Sequence, residues 1–306
     1  MADISLQAAE EAPVQTTAVK TARLFFIDHL RAALVILVVL HHVAIVYGEG
    51  ISFWYVDPPK GESLGGFILV LFVLSNQAWF MGALFLLAGY FTPGSFDRKG
   101  SGSFLKARLV RLGIPLIIWI FLFNPISNIG LYLAPVTWIS EPLTWQNYSQ
   151  MYPEFIGLGV AWFLALLLIF NFGYAAWRWL TRSRPSSLGR EYSPPSYLSI
   201  GIFILGLALV TYLVRIVVPL GRTVFDFPTI AYLPQYLSFF IVGSVAYRRD
   251  WFRSVTDRMG KVGFGTALVA TLLLFWIPIM GMLGGTMGFL GNGSWPSAVF
   301  ALWDSI

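Results

Sequence analysis

One stretch limits what this chain can fold into more than any other: RLFFIDHLRAALVILVVLHHVAIVYG, residues 23–48. It is apolar for long enough to cross a bilayer, yet it carries Asp28, Arg31, His41 and His42. Successive side chains of a helix turn by about 100°, so Asp28, Arg31, Val35, Val38 and His42 fall along one stripe, and His41 points about a quarter turn away. Arg31 and His42 are eleven residues apart, which at ~1.5 Å per residue separates them by about 16 Å. One group therefore sits near a membrane face and the other well inside, where an imidazole is costly unless it meets protein or water.

The rest of the chain agrees with a membrane setting. Charged residues make up 11% of it and hydrophobic ones 57%, whereas soluble domains carry about a quarter charged residues. Cysteine is absent, which excludes disulfides, thiol nucleophiles and thiolate metal sites together. With three histidines a metal cluster has few ligands to draw on, and no metal site is expected. The net charge of +5 does not indicate nucleic acid, because the basic residues lie in short connections between apolar runs, which is how membrane topology is written. Residues 1–22 contain Glu10 and Glu11 and no apolar core. They read as a disordered cytoplasmic tail rather than a signal peptide, leaving 23–306 as an integral membrane domain.

Hydropathy predicts an all-α polytopic transmembrane bundle with spans near 25–48, 64–91, 109–123, 158–180, 197–220, 229–247 and 262–283. Pro115 is placed to bend the third or to mark its first turns. The connection 124–157 has no Lys or Arg but is rich in Trp, Tyr and Pro, and reads as an outer-face loop with short helical pieces in the interface. After the glycine-rich GGTMGFLGNGSWPS, the run SAVFALWDSI begins an eighth span too short to cross a bilayer, so the bundle is expected to be truncated there or the segment re-entrant. With the N-terminus cytoplasmic, all the basic residues except Lys60, Arg215 and Arg222 fall on the cytoplasmic side.

Candidate chemistry centres on His42, whose near-neutral solution pKa suits it to take a proton from a hydroxyl and return it to a leaving group. The plainer reading is a histidine that ties two helices together. His41 competes with it, and His29 belongs to the headgroup region. Arg31 reads either as a positive-inside anchor or as a guanidinium matched to phosphate or carboxylate, with Asp28 one turn earlier to orient it. Lys106, Arg108 and Arg111, at the cytoplasmic start of the third span, form either a topology anchor or a mouth for an anionic cytosolic donor. Asn76 and Gln77 interrupt the second span and either line a cavity or bond across the bundle. Arg215 and Arg222 run against the charge rule, which marks them for an acceptor or cavity role. Glu141 and Glu154, among the loop aromatics, suit a sugar or polyol acceptor, while interface anchoring accounts for the same aromatics. Asn171 and Tyr174 are weaker candidates. No nucleotide-binding loop, zinc-protease or serine-elbow motif is present.

In IDHLRAALVILVVLHH, WFMGALFLLAGYF, FLKARLVRLGIPL and GVAWFLALLLIF the sequence resembles the membrane-bound acyltransferase 3 family, bacterial O-acyltransferases that include glucan- and polysaccharide-modifying members. The resemblance implies that Arg31 and His42 are essential, with His42 the catalytic base and Asp28 the acidic residue before the arginine. It likewise implies that Arg108 and Arg111 are the paired basic residues before the third span, and that Trp162 is the aromatic element before the fourth. His41 stands where the family commonly has an aromatic or apolar residue. Members use cytosolic acyl-coenzyme A as co-substrate, with no permanently bound cofactor, modify an acceptor at or beyond the membrane, and usually have about ten spans.

The expected activity is thus transfer of an acetyl, succinyl or similar group from acyl-coenzyme A to a hydroxyl of a glycan, other envelope component or small molecule, in the bacterial cytoplasmic membrane among its lipids. His42 is the expected base, Arg31 positions the donor with Lys106, Arg108 and Arg111, and Trp162, Asn76, Gln77, Glu154 and Arg215 serve the acceptor. Such chemistry demands a polar passage to His42. The alternative is a secondary transporter or carrier of a polar or anionic substrate that uses Arg31 and His42 for binding or proton relay.

Overall fold

The computed structural model describes residues 25–48, 55, 63–134, 139–181, 193–228 and 230–306. The predicted tail 1–22 lies outside the described residues. Among those described, the chain is all-α, with seven helices long and apolar enough to cross a membrane: Phe25–Tyr47, Leu64–Lys99, Ser101–Leu133, Trp145–Leu180, Tyr197–Val217, Ile230–Arg248 and Asp257–Leu283. These correspond in order to the seven predicted spans. The second to fourth are longer than hydropathy suggests, because polar turns beyond each apolar run stay helical. Two of the N-termini are capped: Ser63 and Thr144 accept hydrogen bonds from Gly66 N and Asn147 N, satisfying donors that a helix start leaves open.

Around Pro115 the third span departs from regular α-helix, and Pro115 itself stands in the first turn of the short helix Ile114–Ile118. Proline cannot donate to the ladder and its ring crowds the carbonyl four residues earlier. The helix widens into π turns at Leu109–Gly113 and Trp119–Phe123, on either side of the proline. The expected helical pieces of the outer loop are Asn124–Ser127, Gly130–Leu133 and Trp145–Phe155.

The tightest seam joins the second and sixth spans. A Cβ built on Gly89 would collide with the Phe240 carbonyl, and one on Gly243 with the Leu86 carbonyl, so only hydrogen at these two positions lets the backbones meet. Contacts of Gly82 with Gln235, Gly89 with Phe240 and Gly94 with Tyr247 climb both helices in the same direction. Parallel packing is what two even-numbered spans of an alternating chain require. Contacts of His41 with Asn76 and of Gly48 with Leu69 likewise run the first two spans antiparallel. Gly243→Ala is expected to destabilise the bundle by about 1–3 kcal/mol through overpacking. Thermal unfolding in detergent would check this, and an unchanged midpoint would refute the close approach.

The main core lies between the first, second, fourth and sixth spans. Phe85 sits in it, 4.9 Å from the Tyr236 ring and 4.8 Å from the Phe163 ring. A second core gathers Phe275, Ile279, Phe289, Phe300 and Trp303 around Ala78, joining the seventh span to the short helix Trp295–Trp303 and to the middle of the second.

Candidate active site

The first span settles which of its faces is packed. Ile27, Leu34, His41 and Ala44 are buried, whereas Val35, Val39 and Val43 are exposed. The stripe holding Asp28, Arg31 and His42 therefore runs along the edge of the packed face, and the centre of that face belongs to His41. Only 5% of His41 is exposed; its ring lies 4.8 Å from Phe80, and its Nδ1 is 3.4 Å from the Asn76 amide nitrogen. His41 thus behaves as a strut between the first and second spans.

His42 differs in both access and hydrogen bonding. Its side chain is half-buried, and Nδ1 lies 2.7 Å from the Val38 carbonyl oxygen. A carbonyl only accepts, so Nδ1 is the donor in this contact. In a neutral ring that contact corresponds to the tautomer with its proton on Nδ1. The two rings are 5.7 Å apart and nearly perpendicular.

At the other end of the stripe Arg31 is exposed, and its guanidinium lies 3.8 Å from the Asp28 carboxylate, one turn away as expected. Lys106 and Arg111 are exposed at the start of the third span, while Arg108 is half-buried with its guanidinium carbon 5.1 Å above the Phe104 ring. The first span packs chiefly on the second, and the third on the fourth, so Arg31 and the Lys106–Arg111 group belong to different helix pairs.

The second span is broken in its middle. Helix Leu64–Gln77 stops and helix Phe80–Lys99 starts, and the three residues at the break face three partners. Asn76 reaches His41, Gln77 donates to the Tyr236 hydroxyl at 3.2 Å, and the Ala78 carbonyl accepts from Gln235 at 2.5 Å. A break at this depth is tolerable because protein groups satisfy the freed backbone. Trp162 is buried at the start of the fourth span's long helix, its ring stacked 5.5 Å from Tyr236. Glu154 lies apart, exposed on the helix Trp145–Phe155.

Arg215 is fully buried and paired with Asp304 at 2.5 Å, its guanidinium held between the rings of Tyr232 and Phe300. Arg222 remains exposed and bonds the Val217 carbonyl. Asn171 and Thr92 bond each other at 3.3 Å, and Tyr174 accepts from Arg248, which is also paired in bidentate fashion with Asp97. Three of these partners escaped sequence reading. Gln235 and Asp304 are polar residues inside apolar runs, a signal already used for Asn76 and Gln77, whereas Arg248 was indistinguishable from its neighbours in a basic connection. Two grooves of about 480 and 400 Å³ lie along the seventh span and beside the outer loop, lined by residues such as Lys261 and Thr266 in one and Trp276 and Trp295 in the other. Neither contains His42. Among the described residues no group of three or more His, Asp or Glu side chains is placed to hold a metal.

Seven helices long and apolar enough to cross a membrane, counted among the described residues, define a multi-pass membrane protein. The chain belongs to the acyltransferase 3 family, whose acyltransferase domain model matches residues 24–304. It is similar to glucans biosynthesis protein C of Salmonella typhimurium, Salmonella typhi and Salmonella agona, at 27% identity over 268 residues, covering 84% of this chain and 67% of each relative. No solved structure matches. Family membership supports an acyltransferase-type activity toward a polar acceptor, and multi-pass topology with bacterial relatives supports an inner-membrane location.

Proposed function

We propose that this protein transfers an acyl group from cytosolic acyl-coenzyme A to an acceptor hydroxyl, with His42 as general base. The observation that carries the reading is the bond from His42 Nδ1 to the Val38 carbonyl, which in a neutral ring puts the lone pair on Nε2, on a half-buried side chain along the same stripe as Arg31. In the proposed step Nε2 takes the acceptor's proton, the freed oxygen attacks the thioester carbonyl, and the C–S bond breaks. The coenzyme A thiolate then takes up the proton held by His42, so the products are an ester and a thiol.

Arg31, oriented by Asp28, binds the anionic part of the donor at the cytoplasmic end, together with Lys106, Arg108 and Arg111. The ~16 Å of helix between Arg31 and His42 suits a donor that is anchored by phosphate and extends its thioester inward. Trp162, Asn76 and Gln77 shape the acceptor side by holding Tyr236 and His41 in place. Glu154, exposed on the outer helix, meets an incoming acceptor before it enters the bundle. Residues 1–22 form a cytoplasmic tail ahead of the membrane domain 23–306. The sugar-modifying class is supported by the relatives' name, which ties those proteins to glucan biosynthesis.

Membranes holding the protein, supplied with radiolabelled acetyl- or succinyl-coenzyme A, are expected to ester-label a glycan or small polyol. Labelling no greater than in membranes without the protein, for every acyl group tried, would reject the assignment. Orientation is tested separately. Because the chain has no cysteine, Ser186→Cys should react with an impermeant maleimide only from the cytoplasmic side, and Ser149→Cys only from the outside. The reverse pattern would invert the donor side and with it the role of Arg31.

A further inference from the structure

Polar atoms without protein partners concentrate at one junction, near the outer end of the fifth span. Arg215 gives one nitrogen to Asp304, while its Nε and Nη1 are buried without a partner. Thr211, one turn earlier on the same face, has an unpartnered buried hydroxyl, and so has Ser297 on the short helix packed against it. Gln235 donates its amide to the carbonyls of Ala78 and Asp304, leaving Oε1 buried and unpartnered. Native interiors rarely leave such atoms unmatched, and five of them gather at this junction, two on the guanidinium itself.

The chemistry of the left-over groups restricts what can satisfy them. Arg215 and Asp304 cancel in charge, so the junction offers N–H donors, two hydroxyls and one carbonyl acceptor around a neutral pair. A carboxylate or phosphate would set a second anion beside Asp304 and leave the Gln235 oxygen unmatched. An ammonium would face the guanidinium. A neutral hydroxyl both accepts and donates, and serves Arg215 and Gln235 together. The rings of Tyr232 and Phe300, 4.8 and 5.4 Å from the guanidinium carbon, add the apolar walls on which the carbon face of a polyol packs.

We propose that this junction is a binding subsite for a neutral, hydroxyl-bearing group that approaches from the outer face, namely the polyhydroxy part of the acceptor. The inference rests on the acyltransfer reading for its purpose, though not for its geometry. The outer loop closes over it through three bonds: Asn292 N to Arg215 O at 3.3 Å, Leu220 N to Leu290 O at 2.8 Å, and the Tyr212 hydroxyl to Gly293 O at 2.8 Å. Loading therefore requires that loop to lift. Toward the interior, Gln235 bonds the Ala78 carbonyl beside Asn76 and Gln77, so the subsite and the histidine pair flank the same helix break.

The test uses the full chain in nanodiscs, with laminaritetraose as a neutral probe and its uronate-terminated counterpart as an anionic one, titrated calorimetrically without acyl donor. Thr211→Val and Ser297→Ala leave the Arg215–Asp304 pair intact, and each is expected to weaken laminaritetraose binding about three- to tenfold, the range of one net hydrogen bond. The KM for acyl-coenzyme A should stay unchanged. Native-like binding by both variants, with a higher melting temperature, would mean that the hydroxyls serve only internal water and would overturn the subsite. A native chain that binds neither probe, or prefers the uronate, would overturn it as well. Weakened binding in the variants of a chain that transfers no acyl group would support the subsite while rejecting the enzyme reading. Acyl transfer with unaltered binding in both variants would do the opposite.

Discussion

His42→Ala is expected to lower acyl transfer by about 10²–10⁴-fold, the usual contribution of a general base, while His41→Phe keeps most of it. Both residues are imidazoles on adjacent positions of one helix, so the comparison separates chemistry from packing. His41 is sealed against Phe80, and its contact with Asn76 is a long one at 3.4 Å. A phenyl ring fills the same space and gives up only that weak bond, for which a loss of about 0.5–1.5 kcal/mol in stability is expected. His42→Ala, by contrast, removes little buried surface and should leave insertion and folding intact. Radiolabel transfer normalised to folded protein, measured by size-exclusion chromatography in detergent, checks both halves. Full activity in a folded His42→Ala variant would remove the base from this position. Loss of activity in a folded His41→Phe variant would move it one residue back.

The second large effect concerns stability. Asp304→Ala should destabilise the bundle by about 3–5 kcal/mol, because it leaves a fully buried guanidinium without its counter-charge. Replacing both members, as Arg215→Met with Asp304→Leu, is expected to recover most of that loss, since two apolar side chains of similar size bring no desolvation penalty. The comparison is made by thermal melts of the purified variants in one detergent. If the single and double substitutions melted alike, the pair would not be held in a low-dielectric interior. Arg215 was already suspect in the sequence for breaking the charge rule, and its partner explains how it is tolerated. The charge never meets lipid, because Asp304, Tyr232 and Phe300 enclose it.

That pair also shows how far sequence reading reaches. Period and hydropathy are local properties of a chain, so the seven spans, the irregularity around Pro115 and the helical pieces between the third and fourth apolar runs were all legible. So was the Asp28–Arg31 neighbourhood, since one helical turn fixes it. Which residue 89 positions away would neutralise Arg215 was not, because no local period connects the fifth span to the short helix after the seventh. The same holds for Gln77 and Tyr236, and for Asp97 and Arg248, which come from spans far apart in the chain.

The two histidines mark the boundary most clearly. The sequence by itself determined that both imidazoles lie within the membrane and that they point in different directions, for those facts follow from the length of the apolar run and the turn of a helix. Only the tertiary structure decided which of them is packed away. The second span breaks at residues 78–79 and presses Asn76 and Phe80 onto His41, while His42 is left at the edge of the packed face with its Nδ1 bonded to its own backbone. A helix can fix the angle between two side chains, but the neighbour that covers one of them arrives from elsewhere in the fold.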